Sequence, residues 1–217
     1  FTSAIFVTNI GHANPRLVAA VKQVLDKELI HTYAYPHEIR SEYLKKLVAF
    51  AGPEFEKAFL ISAGTEATEA ALKLMRLNGG RLGKKRPVVI CFEGNWHGRT
   101  MGAQFMSSSL EQKQWIGHFD PNIYHIPFPY PWKIGDKSPD VFLNDGLQLL
   151  KDEGIELGKD VCGFMLETFQ GWGAVFYPKE FVQSIEQICR KNKILLVFDE
   201  MQAGFARTGE KFGYEHY

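Results

Sequence analysis

ILLVFDEMQAGFARTG, residues Ile194 to Gly209, is the stretch whose reading decides the fold. Five large apolar residues, Ile194 to Phe198, run without a polar break and stop at Asp199 and Glu200. Neither face of such a run alternates toward water, so the expectation is a strand covered on both faces of a parallel sheet. In sheets of that kind ligands sit beyond the carboxyl ends of the strands. Asp199 and Glu200 stand at that end, and two readings stay open for them: a solvated strand terminus, or a carboxylate aimed into a crevice.

Working outward, the same pattern recurs. Val161 to Glu167, VCGFMLE, is a second apolar run ending in a carboxylate, and Pro87 to Phe92, PVVICF, is a third. Asn122 to Ile126 is a weaker strand candidate, and Ala58 to Ser62 reads as a short strand leading into the turn Gly64-Thr65. Helical spacing lies between the strands. Glu66 to Leu77 places Ala67, Ala70, Ala71 and Leu74 on one face, Val141 to Leu150 is periodic, and Pro178 opens a helix with Phe181, Val182, Ile185, Ile188 and Cys189 as its stripe. Further helices are expected near 102–106 and 110–115. Upstream, Asn14 caps a helix opened by Pro15, with Leu17, Val18, Val21, Val24 and Leu25 apolar, and a second runs from Glu38 to Phe50 before Gly52-Pro53. His31 to His37, HTYAYPH, reads as a packed connection, and Pro127 to Trp132, PFPYPW, as an extended, stiff segment. Strands alternating with helices predict an α/β fold: a mainly parallel sheet with helices on both faces.

Composition narrows the partners. The 217 residues carry Lys+Arg 25 against Asp+Glu 25, so there is no electrostatic footprint for nucleic acid or an anionic membrane. No run reaches the roughly 18 apolar residues of a membrane span. The three cysteines, Cys91, Cys162 and Cys189, form no disulfide framework, which fits a reducing compartment, and the expectation is a cytoplasmic protein acting on small molecules. The chain starts at Phe1 and stops at Tyr217 soon after a glycine loop, which reads as a piece of a longer protein.

Four junctions carry polar or glycine-rich residues: Ser62 to Thr65, Glu93 to Gly98, Glu167 to Gly173, and Asp199 to Gly209. A parallel sheet brings them to one edge. Gly64 permits close backbone approach, Thr65 offers a hydroxyl, and the helix behind them points free N–H groups outward, a place for a phosphate, although Glu66 and Glu69 could already complement that helix end. Trp96, between glycines, reads either as a plate on which a ring stacks or as core. His97 reads as an acid/base group or as a satisfied loop histidine. No metal-ligand spacing, nucleophile elbow, P-loop or dinucleotide fingerprint is present, which removes the main support for metal or serine hydrolysis and for an NAD-dependent oxidoreductase.

SAGTEATEAALKLMR, EGNWHGRT, ETFQG and VFDEMQAGFARTG, preceded by IGHANP, resemble in order the signatures of class III aminotransferases, the ornithine, acetylornithine and 4-aminobutyrate group. That resemblance implies the fold type I architecture of aspartate aminotransferase, the cofactor pyridoxal 5'-phosphate, an amine (a terminal one) and a 2-oxo acid as substrates, and a homodimer with its site at the subunit interface. It implies that Asp199 pairs with the pyridinium nitrogen, Gly64 and Thr65 bind the phosphate, Trp96 with His97 beside it and Met201 cover the ring, and Gln202 lies near the ring hydroxyl. Glu167 resembles a glutamate beside the substrate, and Trp172, where the family often has a small or acidic residue, reads either as narrowing the pocket or as loop packing. Trp96 and Met201 depart in size from the residues usual there. The Schiff-base lysine should lie past Arg207-Thr208-Gly209, and Lys211 is too close to Asp199 to be it. The expected organisation is residues 1–50 leading into an incomplete large domain at 51–217, without the small C-terminal domain and inactive by itself. A glutamate-1-semialdehyde-type aminomutase and a non-catalytic cofactor-binding or regulatory protein of the same fold are the alternatives.

Overall fold

The computed structural model describes residues 3–28 and 35–217. Four parallel strands form the sheet: β1 (Val88–Phe92), β2 (Ile123–Ile126), β3 (Val161–Glu167) and β6 (Leu195–Asp199), in the spatial order β2-β1-β3-β6. A two-residue hairpin, β4 (Phe169–Gln170) with β5 (Val175–Phe176), follows β3. The helices are α1 (Ser3–Phe6), a turn with left-handed backbone, α2 (Pro15–Asp26), α3 (Glu38–Ala51), α4 (Gly64–Arg81), α5 (Met101–Met106), α6 (Leu110–Lys113), α7 (Pro131–Ile134), α8 (Pro139–Asp152) and α9 (Lys179–Asn192).

The period of two along the strands, broken once at Cys162 where the register of β3 on β1 shifts, divides the core between the two faces of the sheet. Val88, Ile90, Phe92, Phe164 and Leu166 pack with Phe142 and Leu143 of α8 and Phe181 and Ile185 of α9. Val89, Cys91, Cys162 and Met165 pack with Leu72 and Met75 of α4 and Met106 of α5. Every residue of β1 and β3 is buried, because each strand has neighbours on both edges and helices on both faces. The expected fold class is therefore found: helices cover both sides of a parallel sheet.

Several expectations change. Ile194 to Phe198 is not covered on both faces: Ile194 is buried, but β6 is the last strand in the order and Leu195 is 36% exposed, since among the described residues no further strand lies along its outer edge. Ala58 to Ser62 is not a strand. It finds no ladder partner among the described residues, and Phe59, Leu60 and Ile61 are exposed. The helix predicted over 66–77 extends from Gly64 to Arg81, and its buried stripe is Thr68, Leu72, Met75 and Gly79, one position round from the predicted face. Gly79 decides that rotation, because a Cβ there would lie 2.5 Å from Cys162 Cβ and only a bare backbone can sit on β3. The apolar stripe of α2 exists but Leu17, Val18, Val21 and Leu25 are exposed, while its Asn14 cap is as expected, accepting the N–H of Arg16 at 3.0 Å. PFPYPW is extended only to Tyr130, where Pro131 opens α7. Of the connection His31 to His37, residues 31–34 lie outside the described residues, and His37 caps α3 with its ring nitrogen.

Candidate active site at the carboxyl edge of the sheet

Parallel register delivers the site. Glu167 is paired with Asp199 at the ends of β3 and β6, so the two carboxylates stand side by side on the same face of the sheet. Glu200, one residue on, turns the other way. Its carboxylate accepts the N–H groups of Gly213 and Tyr214, both at 2.8 Å, and the Thr168 hydroxyl, and so closes the loop that follows β6. The choice between the two acidic residues at the strand end is settled by alternation: Asp199 faces the cavity.

That cavity holds about 250 Å³. Gly64, Thr65, Trp96, His97, Glu167, Asp199, Met201 and Gln202 all line it. Trp172 does not; its indole is 66% exposed and packs edge-on against Tyr130. Three groups that sequence reasoning passed over also line it: Ala4, Ile5 and Val7 from the N-terminal segment, Phe169 at the start of the hairpin, and Ala203. The first group is held there by Asn9, whose amide donates to the carbonyls of Gly204 at 3.3 Å and Phe205 at 2.9 Å. No local signal marks those contacts, which join residues nearly two hundred positions apart in sequence.

Asp199 is held in place by two neighbours. Its Oδ1 accepts the Met201 N–H at 3.1 Å, and its Oδ2 accepts His97 Nδ1–H at 2.9 Å. His97 is itself fixed from both sides, its N–H donating to Ser107 Oγ and its carbonyl accepting the Thr68 hydroxyl, each at 2.8 Å. With side-chain exposures of 0% for His97 and 7% for Asp199, the pair is dry on every side but the cavity. His97 thus lines the cavity and holds Asp199 through Nδ1.

Glu167 has a different environment. Its Oε2 accepts the Trp96 N–H at 3.0 Å and its Oε1 the Gly171 N–H at 3.4 Å, which ties two loops together. Burial pushes its carboxyl up to about 8; the two N–H groups pull it back and the charge of Asp199 adds to the rise. At neutral pH Glu167 thus holds a proton beside Asp199.

At the start of α4, among the described residues, no side chain caps the helix. Glu66 bonds the N–H of Ser62 at 2.9 Å, and Glu69 leans away to accept Thr100 Oγ1 at 2.7 Å and the N–H of Gly102 at 2.8 Å. The first-turn N–H groups of an 18-residue helix therefore point at the cavity with no acidic side chain in the way. Half-buried Trp96 forms another wall, its ring backed by the Arg99 guanidinium at 5.2 Å. Gln202 Oε1 is buried and has no partner among the described residues, an acceptor left open on the cavity wall.

Together these groups can hold an anion at one end, a flat ring in the middle and a cationic or N–H group at Asp199. Comparison with known proteins gives the arrangement a family. The family model for class-III aminotransferases matches residues 1–217. The acetylornithine aminotransferase, mitochondrial, of Candida glabrata is 34% identical over 99% of this chain and 48% of its own length. A probable 4-aminobutyrate aminotransferase of Bacillus subtilis is 36% identical over 100% of the chain and 50% of its own. Among solved structures, the taurine:2-oxoglutarate aminotransferase from Bifidobacterium kashiwanohense, in complex with PLP and glutamate, superposes with a TM-score of 0.87 at 26% identity, covering 100% of this chain and 49% of that one. The chain spans about half the length of the curated relatives it matches. With the family match running from residue 1 to residue 217 and the fold and motifs agreeing with it, the chain belongs to the class III aminotransferases.

Proposed function

We propose that the whole protein transfers an amino group from an amine, a terminal one, to a 2-oxo acid with pyridoxal 5'-phosphate as cofactor, and that residues 51–217 are the cofactor-binding part, with residues 1–50 leading into it. One observation carries the reading: a dry carboxylate, Asp199, faces a cavity that also exposes an uncapped helix N-terminus and an aromatic plate. Relatives named for acetylornithine, 4-aminobutyrate and taurine support the substrate class. Free, buried Cys91, Cys162 and Cys189 support a cytoplasmic location, and the uncovered apolar face of α2 supports a homodimer with the site at its interface.

The cavity fits the cofactor on its own terms. Gly64 and Thr65 at the uncapped end of α4 would hold the phosphate, Trp96 and Met201 would bound the ring, and the open acceptor Gln202 Oε1 would meet the ring hydroxyl. Bound pyridoxal phosphate supplies an electron sink for the charge left when a substrate Cα–H bond breaks. Asp199 would hold a proton at the ring nitrogen, because its carboxyl, fixed by His97 Nδ1–H and the Met201 N–H, faces the cavity as an acceptor. Protonated Glu167 adds no second negative charge to that wall and can donate its O–H toward a substrate carboxylate.

Asp199→Ala in the full-length protein tests the assignment. Transamination of a terminal amine with a 2-oxo acid should fall on the order of a hundredfold or more, as when one preorganised electrostatic partner is removed, while the circular dichroism spectrum is kept. Near-normal turnover would sink the role given to Asp199.

A further inference from the structure

Behind Asp199 runs a line of buried amides. Asn95 is 3% exposed and Gln170 0%, and each amide has a donor end and an acceptor end that its surroundings must match. Gln170 Oε1 receives the Trp172 indole N–H at 3.0 Å and the Tyr130 hydroxyl. An indole N–H only donates, so oxygen must stand at that end. The other end agrees: Gln170 Nε2 lies 2.6 Å from the Glu93 carbonyl, which only accepts, and 3.3 Å from Asn95 Oδ1. Asn95 Nδ2 then faces the Met165 carbonyl at 3.4 Å and His97 Nε2 at 3.0 Å. His97 Nε2 is thereby the acceptor, its proton sits on Nδ1, and Nδ1 donates to Asp199.

We propose that Gln170 and Asn95 are positioning residues that lock His97 in the Nδ1–H tautomer, with Trp172 and Tyr130 anchoring the outer end, so that every hydrogen bond in the line donates toward Asp199. The opposite tautomer sets an Nε2–H against the Asn95 NH₂ group and turns a ring lone pair toward the Asp199 carboxylate, which loses both bonds at once. Trp172, expected beside the substrate, instead fixes the direction of this line from the surface. The tautomer rests on the geometry alone; its consequence for a cofactor nitrogen rests on the function proposed above.

The test uses the full-length protein freed of cofactor, labelled with ¹⁵N in its histidine rings, with the His97 signal identified by its loss in His97→Gln. The expected wild-type signature is an unprotonated Nε2 and a protonated Nδ1; a protonated Nε2 in the wild type overturns the relay without any variant. Gln170→Glu, read at a pH where the new carboxyl is ionised, cannot donate to Asn95 Oδ1, so Asn95 should reverse and present its oxygen to His97. Asn95→Asp presents an acceptor there directly. Both should give His97 a proton on Nε2, and an unchanged Nδ1–H tautomer in either folded variant overturns the proposal. Turnover of the reloaded variants reads separately on the cofactor: a shifted tautomer with unchanged turnover supports the relay and counts against Asp199 as the cofactor's partner.

Discussion

Two glycines on the cavity wall separate packing from ligand approach. Gly98 has φ +131°, and a Cβ there would lie 2.3 Å from Thr65 Oγ1 and 3.1 Å from Ala103 Cβ. Gly98→Ala should therefore cost about 1–3 kcal/mol of stability through backbone strain and collision, and it should weaken cofactor binding by displacing Thr65. Gly64 has no such backbone constraint, and its added Cβ would meet the flexible, half-exposed Met201 side chain, at 2.8 Å from Cε and 3.0 Å from Cγ. Gly64→Ala should change stability by less than about 1 kcal/mol, with its effect confined to cofactor affinity. Thermal midpoints with cofactor titrations on both variants check the contrast; equal destabilisation would refute it.

At the scale of elements, α4 is seated on β3 by a small residue facing a large one. A Cβ on Gly163 would stand 1.9 Å from Met75 Sδ, and Met75 is fully buried. Gly163→Ala should cost about 1–3 kcal/mol by overpacking, and Met75→Ala about 2–5 kcal/mol by leaving a cavity. The double variant should lose less than the sum, because the new methyl occupies part of the space that Met75 leaves. Denaturant midpoints of the two singles and the double measure this, and strict additivity would show that the two positions do not share the space. The same seating explains why the buried face of α4 was misread from spacing. Ala67, Ala70, Ala71 and Leu74 are as helical as Thr68, Leu72 and Met75, and only the contact of Gly79 with Cys162 selects between the two stripes.

Over the whole molecule, two buried groups make stability depend on pH in opposite senses. His125 is brought down to about 4 by burial, so in the fold it binds its proton less readily than in the unfolded chain. Its contribution is present above about 6.5 and is lost as pH falls toward 4. Glu167 is raised to about 8, so the fold keeps a proton that the unfolded chain has given up. That contribution is present below about 4.5 and is lost as pH rises through 8. Without cofactor, urea midpoints should thus decline on the alkaline side, and Glu167→Gln should flatten that limb while leaving the acid limb, set by His125, in place. An alkaline decline unchanged in Glu167→Gln would show that another group controls it.

Much was written locally. Apolar runs stopping at Glu167 and Asp199, proline and asparagine at helix starts and glycines at the junctions specify strands, helices and loops, and with them the parallel sheet and the edge at which Gly64, Trp96, His97 and Asp199 converge. Those signals are legible because propensity and the periods of two and 3.6 act over neighbouring residues. Tertiary structure decided what depends on distant partners. It chose Asp199 over Glu200 as the residue facing the cavity, left β6 and Phe59 to Ile61 partly bare for want of a neighbouring strand, placed Trp172 outside the cavity, and joined Gln170 and Asn95 to His97. Burial, hydrogen-bond direction and the rotation of a helix on a sheet are properties of two surfaces in contact, and each surface by itself is compatible with more than one of them.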